Sequence, residues 1–247
     1  MDSDPVAHFF PSDESELYVH PVLDALEAQA ENADRTRTVA MQVTEHLRGS
    51  NVMRMAATAE LGGVESSILS MGRELEAVAS RCPSTAWCLW NHLAVFHLFV
   101  GTLGPEHHQF LQEIVERGDW VSFPAGAGSG VHGRIEGDEA VLNGAATFGT
   151  GSRYADHCGV VFAVTGDDGQ PVRPMDLRFS IVPSDIEGLK IEATWDGSGL
   201  RASATDDLHY SEVRVSLDRC VPWYGANRAE SLRTVPVVHH RYREDWV

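Results

Sequence analysis

The chain has 247 residues, of which 43% are hydrophobic, so it can bury a large core as one big domain or two modest ones. Its formal net charge of −17 at pH 7 repels nucleic-acid backbones and anionic membrane surfaces, which argues against both as general partners. The acidic N-terminus, MDSDPVAHFF, lacks the positive start and long apolar stretch of a signal peptide, and this predicts a cytoplasmic protein.

From about residue 15 to 118, apolar residues recur at helical spacing. The breaks between these runs carry glycine, proline and serine, which predicts roughly five helices. One run, residues 86–103, is long enough to cross a membrane, but Asn91, His92 and His97 interrupt it. We therefore predict that this run is a buried helix of a soluble helical domain.

After Trp120 the pattern changes to short alternating runs with frequent glycines, without helical segments between them. Strands at this spacing predict an antiparallel barrel or sandwich, so the predicted fold class is α+β. RIEGDEAVLNG reads as a hairpin. The predicted domains are a helical domain over 1–118, an antiparallel β domain over 119–222 and, over 223–247, a short tail or the start of a truncated helical domain.

The four cysteines form no CxxC pair and no Cys/His cluster at zinc spacing, which predicts reduced thiols and no metal site. The chain also has no P-loop, GxSxG, HExxH or complete dinucleotide motif. GAGSG, residues 126–130, lacks the lysine of a phosphate loop and reads as a glycine-rich turn. Composition and periodicity thus predict an architecture but leave the catalytic residues unknown.

The segment VLNGAATFGTGSRYADHCGVVFAV, residues 141–164, has too many small residues for an ordinary strand. Glycine, alanine and serine surround a single aromatic residue, Phe148. One interpretation is a bulged or edge strand. The other is that a flat ligand, or another backbone, lies against this strand.

Four segments, in order and over nearly the whole chain, resemble the acyl-CoA dehydrogenase superfamily: NVMRMAATAELGG, STAWCLW, GAATFGTGSRYADHCGVVFAV and TWDGSGLRASATDDLHYSEVRVSLDRCVPW. The nearest likeness is to its hydroxylase branch, the flavin-dependent monooxygenases and N-oxygenases, whose chains carry similar STGW, FxSGxxxAD and GLRxTxS segments. The resemblance implies a helical domain followed by a β domain. It also implies that a C-terminal four-helix bundle, which supplies the catalytic base in this family, is mostly absent here.

The resemblance implies FAD or FMN as the cofactor. In this family the strand that matches 145–151 runs beside the flavin ring, so Phe148 takes the place of an aromatic at the flavin face and Thr150 that of a hydroxyl near its reactive edge. Gly149 on that strand would then adjoin the ring. The segment on the other side of the ring implies three further contacts, which are Trp120, Ser122 and Ser129.

Two more residues are implied as substrate contacts. Trp87 matches the aromatic of STGW, and His97 falls where hydroxylase-branch chains often carry a histidine. From the residues alone, a core tryptophan and a buried histidine bonded to a backbone carbonyl remain alternatives. One departure from the family is Ala146, which stands where the hydroxylases usually have a tryptophan.

The function that the resemblance implies is a flavin-dependent, monooxygenase-like oxidoreductase that acts on a small organic substrate in a pocket between the two domains. A reduced flavin would react there with dioxygen, and a flavin reductase is a possible partner. The alternative is a non-catalytic or split subunit that needs a partner chain for flavin binding and catalysis. Under either interpretation the chain is expected to form a homo-oligomer, or a hetero-oligomer with a helical partner.

Overall fold

The computed structural model describes residues 14–124 and 130–223. Helices fill the first half of the described chain, in agreement with the predicted helical spacing. The five α-helices of the described residues are α1 (His20–Thr36), α2 (Met41–Arg48), α3 (Ile68–Ala79), α4 (Pro83–Leu103) and α5 (His108–Arg117).

Helix α4 is the longest of these and forms the centre of the helical half. Pro83 opens it at a position where its missing N–H removes no helical hydrogen bond, and Gly104 follows its last residue. By length and composition α4 could cross a membrane, but 56% of its most apolar window is buried inside the protein. More than half of this window is therefore packed against other parts of the protein, as expected of a buried helix.

The described residues of the second half form one eight-stranded sheet. Its strands are β1 (Val121–Ser122), β2 (His132–Glu136), β3 (Glu139–Gly149), β4 (His157–Thr165), β5 (Leu177–Pro183), β6 (Leu189–Glu192), β7 (Asp206–Ser216) and β8 (Val221–Pro222). The order across the sheet is β6-β7-β3-β2-β4-β5-β8, and β1 pairs with β4.

The α+β class is confirmed, but the sheet is mixed and not purely antiparallel. Both β1 and β2 run parallel to β4, whereas β2 and β3 form the predicted antiparallel hairpin. The reason lies in the connection after β3, which carries the chain past β2 so that β4 pairs with the outer edge of β2. Alternation along single strands does not encode such a crossover.

The helical half and the sheet share a buried core. Trp120, the residue before β1, is completely buried, and its ring lies 5.7 Å from that of His92 on α4 and 6.3 Å from that of Tyr154. A second aromatic group joins Phe99 of α4 to Phe123 and Phe179, with ring centroids 6.4 and 5.4 Å from Phe99. Helix α4 therefore packs directly against the start of the sheet.

Arginine side chains that form partly buried ion pairs also connect the two halves. Arg153, between β3 and β4, pairs with the fully buried carboxylate of Asp206 at 2.5 Å and donates to the backbone carbonyl of Arg37, which follows α1. Arg48, at the end of α2, pairs with Asp156, and the same carboxylate accepts the backbone N–H of Trp120. These contacts fix the sheet relative to the helices that carry the candidate site.

Candidate functional site

The small residues of β3 make room first for another backbone. A Cβ on Gly144 would lie 2.3 Å from the carbonyl oxygen of Gly130, and Gly144 has a φ of 117° that favours glycine. The N–H of Gly130 donates to the carbonyl of Ala145 at 2.8 Å. The close approach at this end of β3 is therefore to the segment before β2.

Gly149 makes room for the protein interior. A Cβ there would lie 2.6 Å from Cδ1 of Leu208 and 3.4 Å from Cβ of Ser152, and all three residues are buried. A side chain at position 149 would therefore enter the protein interior and not the volume of a flavin ring, whereas the placement of this strand beside the ring stays a prediction. Neighbouring β7 needs that space for Leu208.

Phe148 lies on the surface of the same strand, at a bulge. Between the pairs Ala146–Leu208 and Gly149–Asp206, β3 has two residues and β7 has one. Phe148 has a φ of 63°, which is strained for an aromatic residue, and its side chain is 61% exposed. The bulge thus turns one aromatic ring outward from the end of a strand where the neighbouring residues, 144–147 and 149, are small.

Thr150 and Ser122 lie beneath this bulge in a buried cluster of hydroxyl groups. Ser122 Oγ donates to the backbone carbonyl of Thr150 at 2.8 Å, and Thr150 Oγ1 lies 3.2 Å from Thr205 Oγ1. Thr205 Oγ1 is in turn 2.8 Å from Ser203 Oγ. The hydroxyls predicted to contact the cofactor are thus used to join β1, the end of β3 and the start of β7.

Trp120 lies next to this cluster and is equally buried. Its backbone N–H donates to Asp156 Oδ2 at 2.7 Å, whereas its indole Nε1 is buried without a hydrogen-bond partner in the described chain. That nitrogen lies 3.4 Å from the position that a Cβ on Gly151 would occupy. Ser129, the remaining predicted cofactor contact, lies outside the described residues.

The predicted substrate residues lie on the exposed side of α4. Trp87 is 41% exposed and stacks on Trp90, with ring centroids 4.7 Å apart and an interplanar angle of 25°. His97 is half-buried and lines an apolar cavity together with Trp90. Sequence reasoning missed Trp90, although its spacing of three residues from Trp87 on a predicted helix is the signal that would have found it.

His92 lies on the opposite side of α4, and sequence reasoning treated it only as a polar interruption. Its Nδ1 accepts the backbone N–H of Val121 at 3.1 Å, and its Nε2 lies 3.0 Å from the carbonyl of Met53. Burial is the main reason that its pKa is lowered to about 4, so the imidazole is neutral at physiological pH. Its two hydrogen bonds fix it as a connector between α4 and β1.

Cys88 of α4 also lies close to the hydroxyl cluster. Its Sγ donates to the carbonyl of Ser203 at 3.2 Å. Burial raises the pKa of this thiol far above its usual range, so it carries no thiolate and is unsuited to nucleophilic chemistry. Among the described residues, no three His, Cys, Asp or Glu side chains group as a metal site would require.

The described residues fit one face of a site for a flat aromatic cofactor. Phe148 offers an exposed ring, and its neighbours Ala145 and Thr147 are small and half-buried. The pairing with β7 skips Thr147 and Phe148 at the bulge, so this stretch of backbone departs from the regular ladder. Trp120, Ser122 and Thr150 support this face from the protein interior.

Sequence comparison finds both acyl-CoA dehydrogenases and a monooxygenase among the similar curated proteins. No family model matches the chain. The probable acyl-CoA dehydrogenase YngJ of Bacillus subtilis (strain 168) is 29% identical over 201 residues, which cover 75% of this chain and 51% of the relative. The indole-3-acetate monooxygenase of Acinetobacter baumannii is 27% identical, over 74% of this chain and 44% of the relative. The chain spans about half the length of the curated relatives that it matches.

Solved structures with the same fold include flavin monooxygenases. The dibenzothiophene monooxygenase TdsC from Paenibacillus sp. A11-2, in a complex with FMN and indole, matches with a TM-score of 0.76 at 17% identity, over 92% of this chain and 59% of TdsC. XiaF from Streptomyces sp., in complex with FADH2 and glycerol, matches with a TM-score of 0.72 at 20% identity, over 83% of this chain and 50% of XiaF.

The fold therefore defines the class of this chain: it is acyl-CoA dehydrogenase-like, with a helical half followed by a sheet. The resemblance to the acyl-CoA dehydrogenase superfamily, and to its flavin monooxygenases, is confirmed by both comparisons.

Proposed function

We propose that this chain is part of a flavin-dependent, monooxygenase-like oxidoreductase that acts in the cytoplasm on a small organic substrate. The proposal rests mainly on Phe148, whose exposed side chain is held at a bulge on the strand that the family resemblance assigns to the flavin face. FMN and FADH2 in the structural relatives support FAD or FMN as the cofactor.

The proposed roles of the residues follow from their positions. Phe148 would contact the flat face of the cofactor from the surface of β3. Thr150 and Ser122 would hold the bulge in shape through their buried hydrogen bonds, and Trp120 would support it by packing. The described residues thus supply one wall of the site.

A bound reduced flavin would supply the activation of dioxygen needed for hydroxylation. The contribution of this chain would be to orient the ring, through Phe148, and to exclude water from its inner side, because the residues beneath the bulge are densely packed. The groups that transfer protons in the reaction are not assigned.

The proposal is tested by flavin binding to the Phe148→Ala variant. We expect wild-type protein to quench the fluorescence of added FMN or FAD and the variant to bind about 2- to 12-fold more weakly, since an aromatic contact contributes about 0.5–1.5 kcal/mol. Met175→Ala removes another large exposed apolar side chain and serves as the control, with unchanged affinity.

Equal flavin affinity in Phe148→Ala and wild-type protein would refute the placement of the ring. If folded wild-type protein binds no flavin alone, the second candidate function is favoured, namely a split or non-catalytic subunit that needs a partner chain. The observation behind this candidate is the exposed apolar surface of the helical half, where Met41, Leu69 and Trp87 are 74%, 49% and 41% exposed. We propose in either case that the chain works in an assembly, with a second copy or a helical partner.

A further inference from the structure

An apolar cavity of about 320 Å³ lies between α3 and α4. We call it the α3–α4 groove. Met71 and Gly72 of α3 and Trp90 and His97 of α4 line it, and its other lining residues have aliphatic side chains. None of them belongs to β3 or to the hydroxyl cluster beneath its bulge.

The side chains that line the groove favour uncharged ligands over charged ones. The chain carries 36 acidic and 19 basic side chains, yet among the described residues no Asp, Glu, Lys or Arg lines the groove. His97 is the one ionisable group of this described lining, and the remaining walls are hydrocarbon, thioether and indole. A charged ligand would lose its hydration there without gaining an opposite charge, so the groove favours an uncharged one.

One wall of the groove is held in place by aromatic stacking. Trp90 lines the groove and stacks on Trp87 one turn earlier on α4. A ring fixed in this way loses little conformational entropy when a ligand packs against it. Across the groove, Met71 of α3 offers a flexible thioether that adapts to aromatic edges.

Gly72 leaves the space open on the α3 side. A Cβ at this position would meet nothing within 4 Å, so the glycine is not required by close packing with the described residues. Inside a helix, glycine costs about 1 kcal/mol relative to alanine. The residue therefore costs helix stability and leaves room at the edge of the groove.

We propose that the α3–α4 groove binds an uncharged aromatic small molecule of one or two fused rings, with His97 as its single polar neighbour. The volume lies at the lower end of the range of about 300–1,000 Å³ that is usual for ligand pockets, which favours compact rings over long chains. That this ligand is the substrate of the oxidoreductase rests on the proposed function; binding in the groove does not.

The test uses N-phenyl-1-naphthylamine, an uncharged dye that becomes fluorescent in apolar sites, with the full chain and no added flavin. We expect saturable binding and energy transfer from tryptophan, because Trp90 lines the groove. Gly72→Leu should weaken binding by at least about tenfold, since its side chain occupies the groove. Gly199→Leu is the matched control, because a Cβ on Gly199 also meets nothing within 4 Å.

Several outcomes would overturn the proposal. Equal loss in both leucine variants, or no loss in Gly72→Leu, would place the dye elsewhere. Absence of saturable binding to folded wild-type protein would mean that the groove takes no such ligand. A change in the mass of the assembly caused only by Gly72→Leu would make the groove an interface between chains.

Flavin binding provides the comparison that separates this proposal from the proposed function. Gly72→Leu should bind FMN or FAD as the wild-type protein does, and Phe148→Ala should bind the dye as the wild-type protein does. Loss of dye binding with intact flavin binding therefore concerns the groove alone. Dye binding without any flavin binding would contradict the proposed function and leave the groove intact.

Discussion

His92 is a buried residue whose protonation state is fixed by its surroundings. With Nδ1 accepting from the N–H of Val121, the proton of the neutral ring resides on Nε2 and is donated to the carbonyl of Met53. Protonation of Nδ1 would break the first bond and place a charge in the core between α4 and β1.

The free energy of unfolding is therefore expected to decrease as the pH is lowered. Because the pKa of His92 is lowered from 6.5 to about 4 in the folded state, its contribution is complete above pH 6.5 and is lost as the pH falls toward 4. The loss at about pH 5 amounts to about 2 kcal/mol. Urea unfolding at about pH 7.5 and pH 5 measures it.

The His92→Gln variant isolates this contribution from that of the other histidines. Glutamine keeps a donor and an acceptor but does not titrate, so its stability should fall by about 2 kcal/mol less over the same pH interval. The same pH dependence in variant and wild-type protein would contradict the assignment.

At the scale of elements, α1 depends on a carboxylate from another helix. Val19, at its N-cap, has no side chain that can accept a hydrogen bond. Instead, the buried Glu74 of α3 accepts the backbone N–H of Tyr18 at 2.9 Å and that of Val19 at 3.0 Å. Burial raises the pKa of Glu74 above its usual range, and the two hydrogen bonds from the backbone oppose this shift.

We expect Glu74→Ala to lower the free energy of unfolding by about 2–3 kcal/mol, because the buried N–H of Val19 and the partly buried N–H of Tyr18 both lose their acceptor. The control is Glu76→Ala on the exposed side of the same helix, for which a change within about 0.5 kcal/mol is expected. Urea unfolding monitored by circular dichroism compares the two. A similar effect of both variants would show that Glu74 contributes only through α3 itself.

In strand β3, the bulge places adjacent residues in different surroundings. The bulge between Ala146 and Gly149 exposes Phe148, whereas Gly149 faces Leu208 in the interior. A shift of one residue in a strand places each following side chain on the opposite face of the sheet. The family resemblance assigns this strand to the flavin face, which stays a prediction, whereas the packing of Gly149 against Leu208 is visible only in the tertiary structure.

At the scale of the whole molecule, large apolar side chains are exposed on the helical half. Met41, Leu69 and Trp87 are 74%, 49% and 41% exposed, respectively. Exposed apolar surface is often an interaction site, and the strong negative charge keeps such a protein soluble without making that surface favourable in water.

We therefore expect the protein to form a dimer or larger assembly, or to bind a helical partner. Light scattering at micromolar concentration should give a mass well above the 27.1 kDa of one chain. Gly72→Leu should give the same mass if the α3–α4 groove is not the interface. A stable protein with the mass of a single chain would contradict this expectation.

Much of the fold could be predicted because local patterns encode it. Helical spacing predicted about five helices, and five α-helices are present in the described residues. Alternation with turn residues predicted the strands and the β2–β3 hairpin. The parallel pairing of β4 with β1 and β2 could not be predicted in this way, since it depends on which sheet edge the chain reaches after β3.

The sequence by itself determined the α+β class, the two-part order and, through its motifs, the superfamily that the chain resembles. The tertiary structure decided which candidate residues face outward. Ser122, Thr150 and Trp120 lie in the interior, Phe148 and Trp87 lie on the surface, and the α3–α4 groove appears only where two helices meet. The physical reason is that periodicity reports which face of an element is apolar, whereas burial and cavities depend on what packs against that face.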